Sequence, residues 1–129
     1  MYDKAGIWIN QRKALVVTLT PEGPHTTLIL SKVEKPPEQD ERRQRALTGA
    51  LNTYYDGVIA AVRGYANVLL FGPGEAKGEL HKRLVKMQVG DHVTAVEAAD
   101  KMTDREIIAK VREHFERGVV RAAPSQPAV

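Results

Sequence analysis

Two hydrophobic periods run through the chain. Residues Ala5–Asn10 alternate, with Ala5, Ile7 and Ile9 on one side and Gly6, Trp8 and Asn10 on the other, which predicts a strand. Asn10-Gln11-Arg12 reads as a polar turn. Lys13–Thr20 then sets Leu15, Val17 and Leu19 against Ala14, Val16 and Thr18; with both sides mostly apolar, this strand is expected inside a sheet. Pro21-Glu22-Gly23-Pro24 breaks the run, and His25–Ser31 resumes it with Leu28, Ile29 and Leu30. Such short connections favour an antiparallel meander.

From Ala46 the spacing turns helical. Leu47, Leu51, Tyr54, Val58 and Val62 share a stripe that Tyr55 and Ile59 widen, and Gly64 is a natural stop. Val68–Phe71 is an unbroken apolar run, expected as a strand buried on both faces. It stops at Gly72; Pro73 suits a turn or a first helical position, and Glu75 suits the positive end of the helix that follows. That helix, from about Glu75 to Gln88, carries a narrow stripe of Ala76, Leu80, Leu84 and Met87 and is ended by Gly90-Asp91. Val93–Ala98 is a further strand. Thr103-Asp104-Arg105-Glu106 fits a capping box, with Met102 and Ile107 placed as a hydrophobic staple. The helix it opens buries Ile107, Ile108, Val111 and Phe115, and Gly118 closes it.

The order is three strands, helix, strand, helix, strand, helix. If the first crossover passes over the meander to lie beside the first strand and the second continues outward, right-handed connections put the first two helices on one face. The last helix covers the other. The expected fold class is α/β: a three-layer, five-stranded mixed sheet in the order 3-2-1-4-5, which is the ribonuclease H-like arrangement.

Composition narrows the picture without redirecting it. A chain of 129 residues, 43% hydrophobic and 27% charged, is expected to form one domain over residues 1–118, followed by an Ala, Pro, Ser and Gln tail at 119–129. No stretch of about 18 apolar residues is present to span a membrane. Met1-Tyr2-Asp3-Lys4 leads into a strand pattern with no signal-type apolar core, so a cytoplasmic protein is expected. The absence of cysteine removes disulfides, thiol catalysis and thiolate metal sites. A formal charge of +3 and a pI near 9.3 permit contact with nucleic acid without requiring it.

One stretch belongs to neither period. Lys32–Arg45 carries Pro36-Pro37 and a dense mixture of Lys, Glu, Asp and Arg, too little apolar surface to order itself on the domain. It is expected as an exposed arm with a helical start near Glu38–Arg45.

The segments Ala5–Asn10, Asn52-Thr53-Tyr54-Tyr55, Leu70-Phe71-Gly72-Pro73-Gly74-Glu75-Ala76-Lys77, and Ala98–Thr103 leading into Glu106-Ile107 carry a family resemblance. Over most of residues 3–117 the chain resembles the middle domain of the archaeal and eukaryotic peptide-release factors and of Pelota. It is similar above all to the short stand-alone bacterial relatives described as translational-machinery-like proteins. The resemblance implies the translational machinery component fold and association with the ribosome or structured RNA. Release factors carry a Gly-Gly-Gln tip between the third strand and the first long helix. Here that loop, Lys32–Arg45, contains Gln39 and Gln44 but no glycine, so the backbone freedom the tip needs is missing. What the resemblance then implies is a non-catalytic, translation-associated module that contacts ribosomal RNA or tRNA through a charged arm and needs no cofactor.

The candidate contacts are Lys35, Arg42, Arg43 and Arg45 in the arm and Lys82, Arg83 and Lys86 on the later helix, joined by Lys77. Each group has a plainer reading. Glu34, Glu38, Asp40 and Glu41 nearly cancel the arm's charge, and Glu79 lies within helical reach of Lys82 and Arg83, as on an ordinary solvated helix. Gly72-Pro73-Gly74 with Lys77 could face a phosphate, but it lacks the spacing of a nucleotide-cradling loop and reads better as a tight turn. A nuclease would need acids on the first and central strands, and Ala5–Asn10 and Val68–Phe71 hold none. Asp56 stands alone, Asp3 lies outside the strand, and Glu97 and Asp100 are on another element. His25, His81, His92 and His114 show no metal-ligand spacing, and Ser31 and Ser125 are poor nucleophile candidates. Of Tyr54 and Tyr55, one is expected to pack and the other to face the loop; stacking on a base is conceivable there, but core packing is the plainer reading. The alternative function, from a different class, is a self-associating scaffold without RNA, a homodimer paired through His25–Ser31 or Val93–Ala98.

Overall fold

Ile7 sits at the centre of the sheet, facing Val16 on one neighbouring strand and Leu70 on the other. The computed structural model describes residues 4–31 and 41–116, with residues 41–48 described by their backbone alone. Its elements are β1 (Lys4–Ile9), β2 (Lys13–Thr20), β3 (Gly23–Leu30), α1 (Glu41–Val62), β4 (Asn67–Gly72), α2 (Ala76–Lys86), a 3₁₀ turn (Gly90–His92), β5 (Val93–Ala98) and α3 (Asp104–Glu116). The five strands form one sheet in the order β3-β2-β1-β4-β5. β1, β2 and β3 pair antiparallel, while β1, β4 and β5 pair parallel. This is the expected mixed α/β sheet.

Period-two alternation sorts the core into two layers. Ala5, Ile7 and Ile9 join Ala14, Val16, Val68 and Leu70 beneath Tyr54, Tyr55, Val58, Ile59 and Val62 of α1 and Ala76, Leu80 and Leu84 of α2. On the opposite face Trp8, Leu15, Val17, Leu69 and Phe71 meet Ile107, Val111 and Phe115 of α3. All six residues of β4 are buried, the apolar run Val68–Phe71 as expected and polar Asn67 with it. Gly6 lets α3 settle on the sheet, because a Cβ there would stand 2.2 Å from Val111 Cγ2. No helix among the described residues is long and apolar enough to cross a membrane.

Three local expectations change. β3 begins at Gly23, inside the predicted breaker, with Leu19 opposite Pro24 and Thr20 opposite Gly23. An edge strand tolerates a proline because the missing N–H faces outward. Helix α2 stops earlier than its stripe suggested, and Met87 is 45% exposed instead of buried. Gln88, not the Gly90-Asp91 pair expected to end the helix, takes the left-handed backbone at φ 64, and Gln88 N–H and Val89 N–H close on Val85 O and Leu84 O at 2.9 Å. Gly90 instead makes room for Val85, whose Cγ2 would lie 2.6 Å from an added Cβ. Both tyrosines pack: Tyr54 and Tyr55 are each 3% exposed. The α3 capping box forms as expected, Thr103 N–H donating to Glu106 Oε1 at 2.8 Å and Glu106 N–H to Thr103 Oγ1 at 3.2 Å.

Candidate nucleic-acid interface

The carboxyl ends of β1 and β4 lie side by side, yet the chain leaves them in opposite directions. β1 turns back into β2, whereas β4 passes through α2 towards β5 on the other side. In open α/β sheets such a divergence leaves a crevice outside the strand ends, and ligands gather there. Here it is an open cleft of about 730 Å³.

Its walls are fixed locally. On the β1 side, Asn10 Oδ1 accepts from the N–H groups of Arg12 and Lys13, both at 2.8 Å, which holds the β1–β2 turn. Ser31 N–H donates to Arg12 O at 2.8 Å, so the chain enters segment 32–40 from this same rim. Tyr54 Oη donates to Asn10 O at 2.9 Å and ties α1 to the turn. On the β4 side, Gly72 at φ 146 brings the chain against β1; a Cβ there would stand 2.3 Å from Ile9 O. Gly74 takes a left-handed φ of 66 and its carbonyl accepts from Lys77 Nζ at 2.5 Å. Glu75 occupies the α2 N-cap with no side-chain bond to the helix.

The floor and far wall combine α1 with α2. Arg83 Nη2 donates to Asn52 Oδ1, and its guanidinium lies over the Tyr55 ring, 5.0 Å from the centroid. Glu79, expected beside Lys82 and Arg83, forms an ion pair with neither among the described residues, because Arg83 turns inward to α1. The Tyr55 hydroxyl has no hydrogen-bond partner among the described residues, although the side chain is buried and lines the cleft. Burial raises the Tyr55 phenol above its ordinary value of 10.0; the Glu79 carboxylate pushes the same way, and Arg83 opposes. Arg12 and Arg83 thus face Glu75 and Glu79 around one opening.

The candidate residues named from the sequence fall into three groups. Lys35 and the side chains of Arg42, Arg43 and Arg45 lie outside the described residues, although the three arginines stand on the first turns of the α1 backbone. Lys82 and Lys86 are exposed on α2, with Lys86 in its last turn, where a cation suits the helix end. Lys77 sits about 140° around the helix from Lys82, so the two do not form one strip. Among the described candidates, Arg83 is the one that lines the cleft. Arg12, Asn52 and Glu79 are cleft residues that the sequence pattern does not select as contacts, and Tyr55, open to base stacking on that pattern, reads more plainly as core. The available signal was position: a polar turn placed directly after the strand on which a mixed sheet pivots. No group of three or more His, Cys, Asp or Glu among the described residues could hold a metal ion. Asp56 is exposed, and His114 Nε2 lies 2.8 Å from Thr94 Oγ1.

The pivoted mixed sheet, with two helices on one face and one on the other, defines a three-layer α/β domain that resembles the middle domain of the release factors and Pelota. Pelota from Thermoplasma acidophilum matches 94% of this chain at a TM-score of 0.59 and 17% identity, over 33% of its own length. Pelota from Archaeoglobus fulgidus matches 95% at 0.60 and 15% identity, over 33% of its length. An archaeal translation termination factor matches 94% at 0.60 and 14% identity, over 37% of its length. The chain therefore spans about a third of each of these proteins. At the level of sequence, no protein-family model and no curated protein matches it.

Proposed function

We propose that this chain is a non-catalytic, translation-associated module, acting in the cytoplasm, that contacts ribosomal RNA or tRNA. The observation that carries the reading is the fold shared over nearly the whole chain with Pelota and an archaeal termination factor. Segment 32–45 supports it: Lys35, Arg42, Arg43 and Arg45 stand in the connection where the release factors carry their tip, and it departs from Ser31 at the cleft rim. Lys82 and Lys86 extend the basic surface along α2, while Lys77 serves the turn through Gly74. A glycine-free arm gives no support for peptidyl-tRNA hydrolysis. In this reading residues 1–118 form the working domain; the tail expected at 119–129 lies outside the described residues.

Sedimentation through a polysome gradient tests it. The protein is expected with ribosomal fractions at low salt and to leave them as salt rises. Replacing Arg42, Arg43 and Arg45 by Ala should flatten the dependence of log K on log salt by about 2–3. A protein that stays wholly in the soluble fractions at low salt ends the proposal.

A second reading rests on β3, where Leu28 and Leu30 are 56% and 63% exposed on an outer strand. Two copies pairing through that edge would make a scaffold with no need of RNA.

A further inference from the structure

We propose that the cleft at the carboxyl ends of β1 and β4 holds one unstacked RNA base, guanine in preference to the others. This rests on the RNA-contacting reading and adds to it where the chain reads sequence rather than backbone.

The first observation is Tyr55. The side chain is 3% exposed and lines the cleft, its hydroxyl has no partner among the described residues, and folding leaves such a group unpaired only at a cost that a ligand can remove. The second is charge. Arg12 and Arg83 are balanced by Glu75 and Glu79 across one opening, so the cleft as a whole does not select an anion. A neutral ring with both donors and acceptors fits that set better than a phosphate does. The volume lies within the roughly 300–1,000 Å³ of small-ligand sites.

Guanine matches the two signs together. Its O6 and N7 accept from an arginine fork, and its N1–H and N2–H donors suit a carboxylate. Arg12 is exposed and makes no ion pair among the described residues, and the Glu79 carboxylate is likewise unclaimed. Arg83 is already seated over Tyr55 and held by Asn52, which offers a positioned planar cation for a base to stack upon. Tyr55 Oη then supplies one more donor from the floor.

Fluorescence anisotropy with labelled hexauridylate, and with the same hexamer carrying one internal guanosine or adenosine, tests the assignment. The guanosine probe is expected to bind about ten-fold tighter than hexauridylate, with adenosine between them. Tyr55→Phe should cut the guanosine advantage about five-fold while leaving the melting temperature unchanged or higher, because it removes an unpaired buried hydroxyl. Glu79→Gln should remove the preference for guanosine over adenosine. Equal binding of all three probes with a steep salt dependence overturns the base site and leaves the RNA-contacting module standing. An unchanged guanosine advantage in Tyr55→Phe also overturns it. Failure of every probe to bind at low salt overturns the base site, while the RNA-contacting reading stands or falls separately on co-sedimentation with ribosomes.

Discussion

Gly6 and Gly72 both permit a close approach, but they would respond differently to a side chain. At Gly72 the added Cβ meets backbone, 2.3 Å from Ile9 O and 3.1 Å from Ile9 N, at a φ of 146. Nothing there can swing aside, and the strained backbone adds its own cost. Gly72→Ala should therefore lose about 4 kcal/mol in urea denaturation, with no relief from Ile9→Ala. At Gly6 the obstruction is the Val111 side chain, at 2.2 Å from Cγ2. Gly6→Ala should cost about 2 kcal/mol, and combining it with Val111→Ala should cost at least about 1 kcal/mol less than the two separate losses added together. Tyr54 gives a different residue-level test. Burial, and next the neighbouring Tyr55, raise its phenol well above 10.0. The unfolded chain then ionises first: the stability this group contributes is complete below about pH 10 and is lost as pH rises towards the folded value. Urea midpoints measured from pH 8 to 11.5 should fall above pH 10, and less steeply in Tyr54→Phe. The stop at Gly72 was legible because a glycine after an apolar run is a local signal. The role of Tyr55 was not, since the same helical stripe accounts for a tyrosine that packs and for one that lines a cleft.

Among the elements, legibility tracked how local the cause is. The α3 cap is written in four consecutive residues, and its two reciprocal hydrogen bonds form as the spacing dictates. Thr103→Ala removes the bond to Glu106 N–H and should cost about 1 kcal/mol, read from the urea midpoint. The end of α2 was less legible because tertiary contact overrides the obvious stop. Gly90 is taken up by its approach to Val85, leaving Gln88 to adopt the left-handed turn. Gln88→Gly should thus stabilise the protein by about 0.5–1 kcal/mol in thermal denaturation, as the substitution relieves a conformation that only glycine adopts freely. The start of β3 at Gly23 depended on its being an edge, a fact about the finished sheet. The cleft was the least legible feature of all. Arg12, Tyr55 and Glu79 come from a turn and two helices, and no period in the chain links them.

At the scale of the whole molecule, the crossover rule carried the topology: two right-handed connections running the same way across the sheet force α1 and α2 together and leave the opposite face to α3. The same topology leaves β3 and β5 as outer strands, and the two are not equivalent. β5 has six residues, an irregular register against β4 at Val68/Leu69, and Glu97 held to Lys110 at 2.8 Å. A short strand, a register break and a charge are devices that discourage pairing. β3 has eight residues and no aspartate, glutamate, lysine or arginine, with Pro24 near its start. α3 does not cover its outer positions, so Leu28 and Leu30 remain open to solvent beside buried Leu15. If two copies associate, the β3 edge is where they should meet, in the antiparallel pairing that a two-fold axis gives to identical strands. Leu28→Lys places a charge on that edge without touching the core, so thermal stability should stay within about 0.5 kcal/mol of the parent. Light scattering should then show a parent protein of twice the chain mass and a Leu28→Lys variant of single-chain mass. A parent that is monomeric at the concentrations where its RNA binding is measured would remove the scaffold reading and leave the exposed leucines as a contact surface for something other than a second copy.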